Sequence, residues 1–250
     1  MDALASMDAE TRHKRLLDAL ARSGYQPVSA LAKTLKVSEM TIRRDLDALE
    51  KRGLIKRTYG GAVGQGGQDL SIDYSGRRRE HAPAKARIAA RALTQIGDGQ
   101  TIYLDAGTTA LALAEALPPR GLTVITPSLP VANALSVSRD LTVHVLGGEF
   151  RPDLQAMVGP QAAQALAAFR PDIAFIGATA VDLSRGLSRA TIEEIPLKCQ
   201  AARQSARVIV LATREKLGPN AGMVYLTCDE IDIVITETAG AAEEIRVPSR

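Results

Sequence analysis

Apolar residues recur every three to four positions over the first fifty residues, which is the spacing of amphipathic helices. The pattern predicts three helices, over residues 11–21, 30–36 and 39–51. Ser29 and Ser38 are predicted as the N-caps of the second and third helices, because a serine hydroxyl accepts hydrogen bonds from free helical N–H groups. Residues 54–59 are β-like and lead into Gly60-Gly61. Three short helices, a tight turn and a hairpin predict a mainly α winged helix-turn-helix.

From Pro83 the pattern changes to short continuous apolar runs that alternate with helical segments. Strands are predicted at residues 101–104, 122–125, 141–146, 172–176, 207–211 and 231–236. Helices are predicted at residues 84–96, 109–117, 130–136, 161–169 and 192–205. Continuous apolar strands separated by helices predict an α/β domain whose parallel sheet is covered on both faces.

A glycine-rich stretch separates the two patterns. Residues 60–67 hold five glycines in eight positions, which is typical of a flexible connection. The predicted organisation is a winged helix over residues 1–62, a linker over 63–83 and an α/β domain over 84–250. The run Arg77-Arg78-Arg79 is interpreted as a solvated charge run at the junction.

Charge supports this division. The net charge is +3, but residues 1–91 carry +7 and residues 92–250 carry −4. A basic first domain and a mildly acidic second domain suggest different partners.

Composition excludes several classes of protein. Hydrophobic residues make up 46% and charged residues 24%, as in an ordinary globular protein. No stretch approaches the roughly 18 apolar residues of a membrane-spanning helix, and no secretory signal is recognisable. Two cysteines form no disulfide framework, so a cytoplasmic, bacterial setting is expected. Aromatic residues are only 3%, which disfavours stacking on single-stranded nucleic acid.

The third predicted helix carries the candidate residues for reading duplex DNA. A major groove admits one α-helix, and residues near the helix N-terminus face the base edges. The candidates are Ser38, Glu39, Met40, Thr41, Arg43 and Arg44 on the helix, with Lys56, Arg57 and Tyr59 on the wing. Arginine can contact guanine in a bidentate manner, while the wing residues would bind phosphates and add affinity without sequence preference.

The first strand of the α/β domain ends in a candidate anion site. The sequence Asp105-Ala106-Gly107-Thr108-Thr109 opens directly into a helix. A glycine lets the backbone approach a ligand closely, and threonine hydroxyls beside free helix N–H groups suit a phosphate. A capped turn that holds nothing is the alternative. Small or polar residues at several other strand ends, including Gly147-Gly148, favour a pocket.

Residues in both predicted domains resemble those of one known family. Residues 37–50, 53–62 and 105–109 resemble the DeoR-type bacterial transcription regulators, as do Leu146-Gly147-Gly148, Glu193-Glu194 with Lys198, and Lys216-Leu217-Gly218. The resemblance implies that the second domain is similar in fold to ribose-5-phosphate isomerase and the CoA transferases. It also implies a phosphorylated sugar or related metabolite as effector.

The resemblance assigns roles to particular residues. Gly107, Thr108 and Thr109 would bind the phosphate, with Lys198 and Lys216 as cations over the pocket. Asp105 and Glu194 would accept from sugar hydroxyls, and Gly148 belongs to the same candidate site.

This sequence departs from the family pattern at several positions. Pro127, Thr179-Ala180 and Thr213 replace polar residues of the pattern, which leaves the identity of the effector open. Lys36 stands where such helix-turn-helix turns usually carry glycine.

The functional hypothesis is a sequence-specific regulator, most simply a repressor of a carbohydrate operon, acting as a homodimer or homotetramer on operator DNA. The alternatives are a sugar-phosphate isomerase or CoA-transferase-like enzyme with a DNA-binding head, and a regulator of a non-phosphorylated ligand. The Thr179-Ala180 segment removes the carboxylate most expected of an isomerase base. His13, His81 and His144 are scattered along the sequence, so we expect no metal site. We also expect no catalytic residue and no cofactor.

Overall fold

The computed structural model describes residues 8–23, 25–58, 60–64, 74–119, 121–220, 222–238 and 240–247. The chain forms two compact units, Met1–Ser71 and Ile72–Arg250.

The first unit is a winged helix-turn-helix. Its elements are α1 (Ala9–Ser23), β1 (Tyr25–Pro27), α2 (Val28–Leu35), α3 (Glu39–Lys51), β2 (Ile55–Thr58) and β3 (Gly61–Gly64). The strands form an antiparallel sheet in the order β1-β3-β2. The predicted inward residues of α3, Ile42, Leu46 and Leu49, are fully buried. They pack with leucines of α1 and α2 into one aliphatic core, so the predicted helical periodicity is confirmed.

The start of α2 differs from the prediction. The helix begins at Val28, its N-cap is Pro27, and Ser29 therefore lies inside the helix and does not cap it. The unpredicted strand β1 fixes this start, because Gln26 pairs with Ala62 of the wing. That pairing is non-local, and helical periodicity carries no information about it.

Lys36 ends α2 in the left-handed conformation, with φ 54° and ψ 43°. For a residue with a side chain this conformation costs roughly 1–2 kcal/mol. The turn therefore has the geometry for which a glycine would be preferred.

The second unit is built on a seven-stranded sheet in the order β15-β14-β12-β9-β4-β5-β6. Its strands are β4 (Thr101–Leu104), β5 (Thr123–Thr126), β6 (Thr142–Val145), β9 (Ile173–Gly177), β12 (Arg207–Leu211), β14 (Ile233–Glu237) and β15 (Ala242–Arg246). All neighbouring strands are parallel except β15, which is antiparallel to β14.

Helices cover both faces of this sheet. They are α4 (Tyr74–Arg79), α5 (Ala82–Leu93), α6 (Thr108–Ala116), α7 (Leu129–Leu135), α8 (Pro160–Leu166) and α9 (Ile195–Gln204). Side chains alternate along each strand, so Ile102 and Leu104 of β4 pack against α5, α6 and α7. Tyr103 points to the opposite face, where α8 and α9 lie. The predicted doubly covered parallel sheet is confirmed.

Two small antiparallel sheets complete the second unit. One contains β10 (Ala180–Asp182), β11 (Gly186–Ser188) and β13 (Val224–Thr227), and the other contains β7 (Glu149–Arg151) and β8 (Ala156–Val158). None of these strands was predicted. They have three or four residues each, too few for a clear period-2 pattern.

Residues 74–83, assigned to the linker from sequence, are largely helical and belong to the second unit. The ring of Tyr74 packs against the apolar cluster that α5 and α6 share. This tertiary contact stabilises α4, whose six residues are too few for an independent helix.

Candidate functional site

The N-terminus of α3 has the geometry expected for the reading helix. Ser38 is its N-cap, with the hydroxyl accepting from the backbone N–H of Thr41 at 3.1 Å. The two side-chain oxygens of Ser38 and Thr41 also lie 2.8 Å apart. The predicted N-cap role of Ser38 is therefore confirmed, and the Thr41 hydroxyl, predicted as a base contact, is engaged with the Ser38 hydroxyl in this structure.

The remaining predicted base-reading side chains point to solvent. Met40 is 69% exposed, and Glu39, Arg43 and Arg44 are exposed as well. Arg43 and Glu39 form an ion pair one helical turn apart, with 3.2 Å between Nη2 and Oε2. An exposed pair of this kind is weak, so DNA can displace it at little cost.

A buried carboxylate anchors α3 to α1. Asp45 accepts from the Arg12 guanidinium at 2.5 and 3.1 Å, and its Oδ1 lies 3.2 Å from Nε2 of His13. Burial raises the pKa of Asp45, but Arg12 and His13 outweigh it and the pKa is lowered. This ion pair was not predicted. Its signal was a charged residue on the apolar face of α3, one turn after Ile42.

The wing is held to α3 by acidic residues. Strands β2 and β3 form a tight hairpin, with Thr58 opposite Gly61. The Arg57 guanidinium donates to the carboxylate of Asp47, and the Arg57 N–H donates to Glu50 at 2.7 Å. Arg57 is thus partly engaged within the unit. The Lys56 side chain and Tyr59 lie outside the described residues.

In the second unit, the loop after β4 turns sharply into α6. Gly107 has φ +124° and ψ 164°, a conformation open to glycine and rarely to other residues. It places Thr108 and Thr109 in the first turn of α6, with Thr108 half-buried and Thr109 buried. The predicted arrangement of a glycine turn and a helix N-terminus is present, with free N–H groups at the end of the helix.

Asp105 and Lys198 form a buried ion pair. The Lys198 ammonium on α9 donates to the Asp105 carboxylate and also to the carbonyl oxygen of Gly177 at 3.1 Å. The same Asp105 oxygen accepts from the Gly177 N–H at 2.9 Å. The pair therefore joins the ends of β4 and β9 to α9. The family resemblance implied Lys198 as a cation over the pocket and Asp105 as an acceptor for sugar hydroxyls, whereas in this structure the two side chains bind each other.

Electrostatics agree with this pairing. Burial alone would lower the pKa of Lys198, but the carboxylates of Asp105 and Glu194 outweigh it and the pKa is raised. Glu194 lies 3.8 Å from the Lys198 ammonium and accepts from the Thr191 hydroxyl at 2.7 Å. The Asp105, Glu194 and Lys198 side chains are thus brought together.

Gly148 has a packing role in this structure. Its φ is +140°, and a Cβ at this position would lie 2.5 Å from the carbonyl oxygen of Val158. The close approach of the loop after β6 to β8 therefore requires glycine. This structural reason stands beside the predicted role of Gly148 in effector binding.

Lys85, a lysine that the sequence did not point to, lies near Lys216. Lys85 on α5 is buried, and its ammonium donates to the carbonyl oxygens of Arg77 and Glu80. Burial and the charge of Lys216 lower the pKa of Lys85 to about 8. Burial also lowers the pKa of Lys216, with contributions from neighbouring cations. Lys85 was not predicted, although helical spacing places it on the inward face with Ile88.

Two cavities adjoin α4 and α6. The smaller, about 330 Å³, is lined by Thr108, Lys85 and Arg78, with Glu115 and small apolar residues around them. The larger, about 960 Å³, lies between α4, α6, α7 and the loop joining β7 to β8. Both volumes are in the range of small-molecule sites. Within the described ranges, no group of His, Cys, Asp or Glu side chains has the arrangement of a metal site.

A winged helix followed by a parallel α/β unit is typical of one class of protein, the two-unit DNA-binding regulator that responds to a small molecule. Residues 12–65 match the DeoR-like helix-turn-helix domain, and residues 80–238 match the DeoR C terminal sensor domain. The chain belongs to the DeoR family of transcriptional regulators. Among the helices that the structure describes, none is long and apolar enough to span a membrane.

Curated relatives match over nearly the whole chain. The HTH-type transcriptional regulator GlpR of Haloferax volcanii is 33% identical over 238 residues, which cover 94% of this chain and 93% of the relative. The glycerol-3-phosphate regulon repressor of Escherichia coli K12 is 30% identical over 232 residues, 92% of each chain. Among solved structures, ribose 5-phosphate isomerase A from Methanocaldococcus jannaschii aligns with a TM-score of 0.47 and 14% identity. That alignment covers 67% of this chain and 100% of the isomerase.

Proposed function

We propose that the chain is a repressor of a carbohydrate or polyol operon and that a phosphorylated sugar or similar ester is its effector. The observation that carries the effector proposal is the N-terminus of α6, where Thr108 follows the Gly107 turn and lines a cavity that Lys85 also lines. A helix N-terminus and a cation together suit a phosphate. The name of the Escherichia coli relative, a glycerol-3-phosphate regulon repressor, agrees with this ligand chemistry.

For DNA binding, we propose that α3 lies in a major groove and that the wing contacts the backbone. The side chains of Arg43 and Arg44 are exposed on α3 and can reach base edges. A bidentate arginine contact to guanine is worth about 1–3 kcal/mol of discrimination. The residues predicted on the wing, Lys56, Arg57 and Tyr59, would supply affinity without sequence preference.

The DNA proposal is tested by duplex selection followed by binding measurements on variants. Arg43→Ala and Arg44→Ala are expected to relax sequence preference. Lys56→Ala is expected to weaken binding to every duplex and to lower the slope of log affinity against log salt concentration by about one unit. Lys33→Ala, at an exposed position on α2, is the matched control. If these variants all bind as the wild type does, α3 is not the reading helix.

The effector proposal is tested by thermal-shift measurements with phosphate esters and their free alcohols. A ligand at about 100 times its Kd adds about 2.7 kcal/mol to the free energy of unfolding. We expect stabilisation by a phosphate ester and none by the free alcohol. Thr108→Ala combined with Lys216→Ala should abolish this shift while leaving duplex binding intact. Stabilisation by free alcohols alone would favour a regulator of a non-phosphorylated ligand.

We further propose that the protein acts as a homodimer or homotetramer through its second unit. One short reading helix contacts too few base pairs for operator specificity, and paired heads read two half-sites. The effector then acts by binding more tightly to the arrangement of heads that fits the operator poorly. Light scattering of the full chain, alone and with duplex, measures the stoichiometry.

We propose that the sensor unit binds its ligand without turnover. The relatives are named as transcriptional regulators. The carboxylate of Asp105 is neutralised by Lys198, and Thr179-Ala180 offers no carboxylate base. Incubation of the purified protein with candidate sugar phosphates tests this point, since formation of an isomer would contradict it.

A further inference from the structure

Helix α4 is attached to the second unit by a buried lysine. Lys85 is 6% exposed, and its ammonium donates to the carbonyl oxygen of Arg77 and, at 2.7 Å, to that of Glu80. These carbonyls lie at the C-terminal end of α4, where helical carbonyls have no partner within the helix. A cation at this position also interacts favourably with the helix dipole. Lys85 therefore holds the end of α4 in place.

The other polar contacts of α4 are exposed and comparatively weak, and its apolar contact is the packing of the Tyr74 ring at the start of the helix. Arg77 donates to the carbonyl oxygen of Asp153 at 2.8 Å, and Arg78 pairs with Glu115 at 2.7 Å. A helix of six residues is not stable without tertiary contacts. The attachment of the C-terminal end of α4 therefore depends strongly on Lys85. In sequence, α4 is the first helix or strand after the winged helix among the residues that the structure describes.

Lys85 also borders the proposed phosphate site. It lines the cavity of about 330 Å³ together with Thr108, at the N-terminus of α6. The charged groups that act on the Lys85 ammonium are Lys216 and Glu215 from the loop after β12, and Arg77 and Glu80 from α4 and the residue after it. Two lysines that repel each other at low solvent exposure are stabilised when an anion lies between them.

We propose that Lys85 is a switch residue that binds either the α4 carbonyls or the effector phosphate, so that the effector releases α4, the helix through which the chain enters the second unit. This proposal rests on the proposed function, because it takes a phosphate as the effector. A hydrogen bond from an ammonium to a phosphate is charge-assisted at both ends and is stronger than one to a neutral carbonyl. The phosphate therefore competes successfully for the Lys85 ammonium.

The sequence offers a direct assay for the release of α4. No lysine or arginine occurs between Arg57 and Arg77, so the first tryptic sites after the winged helix are at Arg77, Arg78 and Arg79. All three lie in α4. Trypsin cuts a helix only when it opens locally. The rate at which a brief digestion of the full chain cuts these bonds, followed by mass spectrometry, measures the opening of α4.

The probe is inorganic phosphate, compared with chloride at the same ionic strength, with a peptide substrate to correct for effects on trypsin. Phosphate is expected to speed cutting of the wild type at residues 77–79 by roughly tenfold, the ratio that corresponds to about 1.4 kcal/mol. Lys85→Met should be cut at the faster rate without phosphate and should not respond to it. Lys216→Met keeps the Lys85 contact, so it should be cut slowly with or without phosphate.

Folding of each variant is checked by circular dichroism. If Lys85→Met does not fold, Lys85→Gln takes its place, because its shorter amide side chain keeps N–H donors and loses the charge. Lys85→Gln should also be cut faster than the wild type and lack the phosphate response. Cutting of either folded Lys85 variant at the wild-type rate, or protection of the wild type by phosphate, would overturn the proposal.

Duplex binding separates this proposal from the proposed function. If phosphate esters weaken duplex binding while α4 is cut at an unchanged rate, the switch is wrong and the proposed function stands. If phosphate speeds cutting only when Lys85 is present, yet no phosphate ester changes duplex binding, the switch stands and the proposed effector is wrong.

Discussion

The buried pair of Asp105 and Lys198 gives the sharpest test of how the candidate site is built. The two side chains are only 3% and 6% exposed. Lys198→Met keeps a long flexible side chain of similar shape and removes the ammonium. The change leaves the Asp105 carboxylate with the Gly177 N–H as its remaining donor. We therefore expect a large loss of stability in the second unit.

The magnitude follows from the burial of the pair. Removing one partner of a buried ion pair typically costs about 3–5 kcal/mol. Burial also raises the pKa of Asp105, so in the variant this carboxyl can take up a proton and limit the loss toward about 3 kcal/mol. For a unit of this size, 1 kcal/mol shifts the melting temperature by roughly 2–4 °C. The predicted decrease is thus at least about 6 °C.

Differential scanning calorimetry of the full chain measures this change, and α9 supplies a matched control. Arg203→Met removes an arginine from the same helix whose partner is Glu230 and whose side chain is 65% exposed. An exposed pair is worth at most about 1 kcal/mol, so this variant should melt close to the wild type. Asp105→Asn combined with Lys198→Met should recover stability, since no uncompensated charge then remains.

A different result would change the assignment of Lys198. If Lys198→Met melts within about 1 °C of the wild type, the pair does not hold the carboxyl ends of β4 and β9 to α9. Lys198 would then be available for an effector, as the family resemblance implies. If the double variant is no more stable than the single variant, the loss comes from packing and not from the buried charge.

Three further predictions concern other charged residues. Lys36→Gly should stabilise the first unit by about 1 kcal/mol in calorimetry, because it relieves a left-handed residue, while Lys33→Gly inside α2 should cost about 1 kcal/mol. Asp45→Asn should cost about 3 kcal/mol at pH 7. Since the pKa of Asp45 is lowered in the folded state, the ionised carboxylate stabilises the fold above about pH 4 and this stabilisation is lost below it. The difference in the free energy of unfolding between the wild type and Asp45→Asn should therefore disappear in acid. Because the pKa of Lys85 is lowered to about 8, its ammonium loses its charge above that pH, and the affinity for phosphate should fall by up to about tenfold per pH unit. Calorimetric titration measures this affinity, and an affinity that does not change with pH would contradict the prediction.

Local periodicity predicted much of the fold. The period of 3.6 residues placed α3 and its inward residues Ile42, Leu46 and Leu49, and continuous apolar runs placed the central strands such as β4 and β12. These signals lie within a single element. By contrast, β1 exists because it pairs with β3, which lies far along the chain, and no local pattern specifies that pairing. Strand β15 pairs with the neighbouring β14, but its sequence, Ala-Glu-Glu-Ile-Arg, contains no apolar run by which it could be predicted.

The candidate site shows the same division. Gly107 and the two threonines that begin α6 are adjacent in sequence, so their arrangement could be predicted. The partner of Asp105 lies 93 residues away on α9, and only the folded chain shows that Lys198 neutralises it. Lys85 and Asp45 left a visible signal, since each is a charged residue at a position whose helical spacing requires burial.

The most direct test of the account is duplex binding measured by fluorescence anisotropy, with and without a phosphate ester. The duplex is the one selected by the wild-type protein from a random library, and glycerol 3-phosphate and hexose phosphates are titrated beside their free alcohols. We predict that one phosphate ester weakens binding of the wild type at least roughly fivefold, the lower end of usual allosteric coupling, and has no effect on Thr108→Ala combined with Lys216→Ala. No selected duplex, or equal binding in the presence of every ester, would contradict a regulator controlled by a phosphorylated metabolite.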